Sequence, residues 1–386
     1  MTLRIGVAGA GARAKLAQHV KDHDARVVVA AEPHPDAAAR VSRIGSGIEV
    51  VGSHRELIEH GIDAAFVLTP DDTHAAITID LLRAGIPVFL EKPLAITIPD
   101  ADAVLEAAYQ TGTRLYVGHN MRHMHAVQTM HRLIGEGAVG EVKAIWCRHF
   151  VGHGGDYYFK DWHAERARGT GLLLQKGAHD IDVIHWLAGS VTREVTAMGE
   201  LMVYGNNSHR GDNSSSLMHD WFDRDVYPPS RLRGLNRVID VEDLSMMLMR
   251  LDSGVLASYQ QCHFSPDYWR NYTVIGNEGR IENFGDSEGG VVKLWNTRSD
   301  YRADADREYP ILRDGANHHE ADALTVAEFL SFVRHGGPTE TSPLGARDAV
   351  AAGIAATQSL RAGSLPQRVP RVSAELEHYF THDQSR

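Results

Sequence analysis

A chain of 386 residues is long for one compact core and favours two domains. Its 43% hydrophobic and 23% charged residues are ordinary for a soluble globular protein, and a formal net charge of −11 argues against non-specific nucleic-acid binding. No apolar run reaches the ~18 to 20 residues that would span a bilayer, so no membrane partner is expected.

The chain enters an apolar run at Leu3, with no charged segment and cleavage site ahead of it. Two cysteines, Cys147 and Cys262, form no CxxC pair and no disulfide framework. Both features point to a reducing, cytoplasmic setting. The 23 histidines include the groups His119, His123 and His125, and His318 and His319. With no HExxH and no carboxylate completing a ligand set, solvated or hydrogen-bonded histidines are expected, and no metal.

In chain order, short β-branched runs alternate with Ala-rich amphipathic stretches over the first 120 residues. The runs Arg4–Ala8, Arg26–Ala31, Ala64–Leu68, Pro87–Leu90 and Arg114–Val117 read as strands. Between them, Ala12–Asp22, Pro35–Arg43, His54–His60, His74–Ala84 and Ile98–Thr111 read as helices. This alternation predicts a doubly wound parallel sheet in residues 1–123. After a further helix at Ala126–Glu136 the runs lengthen: Glu141–Phe150, Glu194–Tyr204, Asp243–Leu251, Gly254–Cys262, Tyr272–Gly276 and Val291–Trp295. Short turns such as Asp252-Ser253-Gly254 predict an α+β domain with an open, mainly antiparallel sheet over 124–386. A helix at Leu173–Ala188 interrupts it, and two more follow at His319–His335 and Ala346–Ala362. Gly205–Arg237 is polar and without periodicity, either a functional lid or partly mobile.

The opening Val7-Ala8-Gly9-Ala10-Gly11-Ala12-Arg13-Ala14 is a strand, then GxGxxA, then a helix. Gly9 permits the tight turn, Gly11 admits a pyrophosphate, and Ala14 allows close packing, with the helix N-terminus facing the phosphates. Glu32 stands 21 residues beyond Gly11 at a strand end, where a carboxylate accepts from ribose hydroxyls. It would repel a 2′-phosphate, so NAD is expected over NADP, with Arg13 a partial offset. In an open α/β sheet the strand C-termini form the ligand crevice, which brings Thr69-Pro70-Asp71 and Lys92 beside the cofactor.

The GxGxxA start, the Thr69-Pro70 loop, Glu91-Lys92-Pro93 and Gly118-His119-Asn120-Met121-Arg122 together resemble the Gfo/Idh/MocA family of oxidoreductases. The resemblance implies a cofactor held by Gly9, Gly11, Ala12, Arg13, Glu32, Thr69, Pro70, Asp71, His74, Glu91, Lys92 and Asn120. It implies that Lys92 orients the reacting hydroxyl and stabilises alkoxide charge. It also implies a homodimer or homotetramer formed through the open sheet.

Gln175, His179, Asp182 and Trp186 share one face of the predicted helix, opposite an apolar stripe of Leu173, Gly177, Ile181, Ile184 and Ala188. A solvent-exposed polar face would look the same. The family carries Asp-x-Gly-x-His here, which implies that His179 is the acid–base residue and that Asp182 orients the imidazole or a substrate hydroxyl. The departure is Gln175 in place of the family's Asp, followed by Lys176; Gln carries no charge to raise a neighbour's basicity. Tyr157, Trp162 and His163 offer aromatic faces beside polar groups, suited to a pyranose, with Arg122, Gln175 and Lys176 completing the candidate substrate contacts. Asp267, Tyr268 and Trp269 form a similar, weaker group.

These residues point to an NAD-dependent dehydrogenase acting on a CH–OH group of a sugar, sugar derivative or polyol. A redox-assisted glycosidase or lyase, and a non-catalytic NAD-binding regulatory protein, are the alternatives.

Overall fold

A computed structural model describes residues 2–312 and 318–385, without the side chains of His318 and His319. Contacts divide the chain into two compact units. The first comprises Met1–Asn120, Asp322–Val350 and Arg371–Arg386, and the second Met121–Ala321 and Ala351–Pro370.

In the first unit, strands β1 (Leu3–Ala8), β2 (Ala25–Ala31), β3 (Glu49–Val51), β4 (Ala64–Val67), β5 (Val88–Leu90) and β6 (Leu115–Val117) form one sheet in the order β3-β2-β1-β4-β5-β6. Every pairing is parallel. The chain reverses direction across the sheet between β1 and β4, the switch point where such folds bind ligands. The connections carry a tight 3-10 helix at Ala14–His23 and helices α1 (Ala37–Val41), α2 (His54–Glu59), α3 (His74–Arg83) and α4 (Ile98–Thr111). α4 opens on Thr97, whose side chain accepts from Asp100 N–H, and stops at Gly112 at φ 65°.

In the second unit follow α5 (His125–Gly135), β7 (Val142–Phe150), α6 (Gly154–Tyr158), α7 (Arg166–Gly169), α8 (Leu172–Gln175), α9 (Gly177–Ala188), β8 (Thr192–Glu200), β9 (Arg210–Gly211), α10 (Met218–Trp221) and β10 (Leu235–Asn236). Then come β11 (Leu244–Leu251), β12 (Leu256–Cys262), β13 (Trp269–Gly276), β14 (Arg280–Phe284), β15 (Val291–Trp295) and β16 (Arg307–Pro310). Helices α11 (His318–His335) and α12 (Pro343–Arg361), strand β17 (Gln367–Arg368) and helix α13 (Ala374–Thr381) complete the chain. The large sheet runs β16-β15-β14-β13-β7-β12-β11-β8-β17. It is antiparallel except that β7 and β12 are parallel neighbours.

Two expectations change. The division expected at 123/124 falls after Asn120, and much of the late helical region returns to the first unit. The reason is apolar surface: Val326, Phe329, Leu330 and Phe332 of α11 close the same core as Phe66, Phe89 and Tyr116, with Phe329 edge-on to Phe66 at 5.3 Å. The helix expected at 173–188 is interrupted at Lys176, giving the short α8 and the longer α9. The 205–237 segment packs within the second unit: Leu232 and Leu235 share a cluster with Val151, Tyr158 and Phe159, and Trp221 Nε1 donates to Asp156 O at 2.9 Å. The short strands β3 and β16 and the helix α13 lie outside the elements expected from the sequence.

Candidate active site

In the first unit the Gly-rich turn takes the form that dinucleotide binding needs. Gly9 has φ +92°, and a Cβ there would lie 2.8 Å from Leu68 O, so only glycine fits. A Cβ at Gly11 would meet no protein atom within 4 Å, leaving the backbone approachable from outside. Glu32, at the end of β2, accepts from Ala10 N–H at 2.8 Å through Oε2 and from His34 N–H at 3.0 Å through Oε1. It therefore stands beside the turn, as its spacing predicts, and also pins it. The turn, Glu32, the Thr69-Pro70 loop and Lys92 all follow the C-terminal ends of parallel strands, so these residues fit an NAD ligand.

Other expected cofactor contacts have their side chains engaged in the protein. Arg13 spans Glu91 (Nε to Oε1, 2.7 Å) and Asp322 (Nη1 and Nη2, both 2.8 Å), and Asn120 Nδ2 donates to Asp322 Oδ1 at 2.7 Å. Lys92 N–H donates to the second Glu91 oxygen at 2.8 Å. Arg13, Glu91 and Asn120 thus hold the crevice loops together, and the guanidinium is committed to carboxylates rather than to a 2′-phosphate. His74, expected at the cofactor, is 1% exposed: Nδ1 lies 2.7 Å from Pro93 O and Nε2 2.9 Å from Thr69 O, so it ties one crevice loop to the other. Thr73 Oγ1 donates within its own turn, 2.7 Å from Thr69 Oγ1 and from Pro70 O, while Asp71 is buried at the start of that turn. Asp322 is 309 residues from Arg13 and carries no local sequence signal.

In the second unit α9 is buried on almost every side. His179 is 6% and Asp182 1% exposed, which overturns the reading of a solvated polar face. Ile181 and Ile184 are buried, and a Cβ at Gly177 would lie 3.1 Å from the Tyr259 ring. Gln175 is buried in α8, ahead of the α9 helix. Arg122 grips Asp182 with two hydrogen bonds (Nε to Oδ2, 2.8 Å; Nη2 to Oδ1, 2.7 Å), and its guanidinium lies 5.6 Å from the Trp186 ring. Asp182 is thus held by Arg122, and the pair was invisible at 60 residues' separation.

Of the aromatic residues, Tyr157 and His163 both neighbour Tyr158, with ring centres 6.1 and 5.6 Å from it. Tyr157 is half-exposed and lies 5.1 Å from Phe222; Trp162 stacks on His163 at 3.7 Å; and His163 Nδ1 approaches Asp161 Oδ1 at 2.5 Å. Lys176 Nζ lies 6.0 Å from the centre of the Tyr158 ring. Tyr268 instead turns its hydroxyl to Asp286 at 2.6 Å.

Missed from the sequence is a charged network beneath α9. Asp180 takes His149 Nδ1 at 3.0 Å, Arg270 Nε at 3.1 Å and the Tyr272 hydroxyl, while Arg270 reaches Asp286 at 3.4 Å. Burial would raise the Asp180 carboxyl, but Arg270, then His149 and Tyr272, hold it well below the usual range. Burial, then the Arg270 charge, pushes the His149 imidazole down to about 3. The alternation of β7 puts His149 on the inward face with Ile145 and Cys147, which was the one available signal.

Among the described residues no group of three or more His, Cys, Asp or Glu is placed to hold a metal ion, and no helix is long and apolar enough to cross a membrane. Cys147 and Cys262 are both free.

Residues 3–119 match the family model described as the oxidoreductase family, NAD-binding Rossmann fold, and residues 127–282 match the GFO/IDH/MocA C-terminal domain. The chain is 29% identical to inositol 2-dehydrogenase of Rhizobium meliloti (strain 1021) over 222 residues, 56% of this chain and 64% of that protein. It is 26% identical to 1,5-anhydro-D-fructose reductase of Ensifer adhaerens over 334 residues, 84% of this chain and 86% of that one. The match to the rhizopine catabolism protein MocA of Rhizobium meliloti is 27% identical and covers 48% of this chain and 57% of that protein. The chain thus spans less than two thirds of the length of several curated relatives it matches. A levoglucosan dehydrogenase solved with NADH and levoglucosan superposes with a TM-score of 0.77 at 19% identity, over 96% of this chain and 100% of that one. With both family domains matched in order over their respective units, the chain belongs to the Gfo/Idh/MocA family of NAD-binding oxidoreductases.

Proposed function

We propose that the chain is an NAD-dependent dehydrogenase acting on a CH–OH carbon of a sugar, sugar derivative or polyol. The observation that carries this reading is the placement of Lys92 at the C-terminal end of β5, on the same sheet edge as Gly9 and Glu32, inside the matched NAD-binding segment. The relatives named for inositol and 1,5-anhydro-D-fructose, and the structural neighbour holding levoglucosan, support the substrate class.

Bound NAD would supply the hydride acceptor. Lys92 would orient the substrate hydroxyl and stabilise negative charge on its oxygen. His179 would take the hydroxyl proton. The Arg122–Asp182 pair would fix a guanidinium at the substrate, and Tyr157, Trp162 and His163 would offer aromatic and hydrogen-bonding contacts. Glu32 would discriminate against a 2′-phosphate.

A screen of sugars, sugar acids and cyclic polyols for NADH formation tests the reading. Lys92→Ala and His179→Ala should each lower turnover by about two to four orders of magnitude while NAD still binds. Near-normal turnover in either variant would remove that residue from the chemistry. Glu32→Ser should relax discrimination against NADP, and an unchanged cofactor ratio would sink the NAD assignment.

We infer further that the face of the large sheet away from α9 seats a second copy of the chain. Trp146, Met198, Met246, Leu248 and Leu256 stand there, each at least 50% exposed, on four adjacent strands. Leu248→Glu should shift the oligomer toward monomer in light scattering, and an unchanged mass would count against this interface.

A further inference from the structure

In the first unit the six-stranded sheet ends at β6, whose strand partner is β5. On the β5 side, Val88 N–H donates to Arg114 O at 3.0 Å and Gly118 N–H donates to Leu90 O at 2.8 Å. Successive residues of a parallel strand turn their backbone groups to alternate sides. Arg114, Tyr116 and Gly118 therefore face β5, and Thr113, Leu115 and Val117 face away from it. An outward row of N–H and C=O groups is a ready template for another strand.

That row is closed from within the chain. Gln384 Oε1 accepts from Leu115 N–H at 2.9 Å, and Gln384 Nε2 donates to Leu115 O at 2.7 Å. A primary amide carries the donor and acceptor of a peptide group, so one side chain makes both bonds that a neighbouring strand would make at Leu115. On either side of it, Thr113 N–H donates to Thr111 Oγ1 at 3.2 Å, and Val117 O accepts from His119 N–H at 2.8 Å.

The segment that delivers Gln384 is anchored just before it. Helix α13 is capped by Ser373, whose side chain accepts from Leu376 N–H, and it buries Leu376, Tyr379 and Phe380. Tyr379 stands edge-on to Tyr109 of α4 at 5.2 Å. Asp383, at φ 54°, closes the helix as a left-handed cap, with Gln384 N–H donating back to Tyr379 O at 3.1 Å. Gln384 itself continues at φ 55°, which the cap does not require and which a residue with a Cβ adopts reluctantly. A backbone held there persists where its surroundings enforce it, and the two bonds to Leu115 are what hold it.

We propose that the segment following α13 is a strap over the β6 edge, and that Gln384 keeps this edge from pairing with the β6 edge of a second copy of the chain. Two identical edges can meet about a two-fold axis, each supplying the N–H and C=O that the other lacks. The strap answers that liability with one amide where a whole strand would otherwise be needed. It is independent of the dehydrogenase reading, and it belongs to a different sheet from the exposed apolar face of the second unit.

Native-state hydrogen exchange and sedimentation velocity on the full chain test the strap. Gln384→Gly removes the amide side chain while leaving φ 55° freely accessible. In it, Leu115 N–H should exchange about five- to tenfold faster, while Tyr116 N–H, turned to β5, keeps the parent's rate. The same variant should gain a concentration-dependent species of twice the parent's mass or more. Gln384→Glu should not gain it, because a carboxylate at the edge repels its own copy. Leu115 exchange as fast in the parent as in Gln384→Gly overturns the strap. An unchanged mass distribution in Gln384→Gly overturns its guarding role, and equal association of Gln384→Glu does so by placing the new contact away from β6.

Discussion

Each compact unit buries an aspartate beside an arginine, and the two carboxylates shift in opposite directions. Asp180, in the second unit, receives Arg270, His149 and Tyr272 together and is held below the usual carboxylate range. Asp348, in the first, lies 3.6 Å from Arg347, but Arg347 gives its closer contact to Asp102 at 2.7 Å. Burial pushes Asp348 up to about 6; Arg347 opposes this, and the charges of Glu377 and Asp102 add to it. Burial alone therefore does not set the sign: the number of donors committed to the carboxylate does. The functional consequence differs accordingly. Asp180 sits next to His179 and locks the start of α9 to β7 and β13, whereas Asp348 meets Arg347 at the longer distance of 3.6 Å.

The strongest way to break this contrast is Arg270→Leu. It leaves Asp180 and Asp286 buried without their shared guanidinium, and should cost about 3–5 kcal/mol of stability in denaturant titration. Arg347→Leu should cost less, because Asp102 is partly exposed and can hydrate while Asp348 can take up a proton. Equal losses would show that the two arginines serve alike. Tyr272→Phe removes a single donor from Asp180, and about 1.5–3 kcal/mol is expected for a hydrogen bond to a charged group. A loss below that range would mean that Arg270 and His149 suffice.

The same contrast explains what the sequence could reveal. Gly9, Glu32 and Lys92 were legible because a parallel sheet puts the residues that follow its strands at one edge, so spacing along the chain stands in for position in space. Ile181 and Ile184 of α9 were legible as buried from helical periodicity, whereas the burial of its polar side was not. The partners of those residues were not. Arg13 meets Asp322, Arg122 meets Asp182, and His149 meets Asp180 and Arg270 across separations that no local pattern encodes. The return of α11 and α13 to the first unit is of the same kind, since Phe329 and Tyr379 announce that they are buried but not against what. Gln175, read as a departure in the site, is buried in α8 just ahead of α9, a placement that turns on the break at Lys176.

The smallest expected effect is also the one with a sign to work out. Because the folded-state value of Asp348 is raised above its unfolded value, its contribution to stability is fully present below about pH 3.9 and is lost as pH rises through about 6. Asp348→Asn keeps the shape and the contact with Arg347 but removes the buried charge. It should therefore stabilise the protein by about 1–2 kcal/mol at pH 7.5 and by nothing at pH 4. Asp180→Asn should do the opposite, destabilising at pH 7.5, because a depressed carboxyl contributes stability above its unfolded value and loses it only as pH falls. Melting temperatures of both variants across pH 4–8 give two curves that diverge in opposite directions from the parent. If Asp348→Asn tracks the parent at every pH, Arg347 compensates Asp348 as fully as Arg270 compensates Asp180, and the two aspartates are equivalent after all.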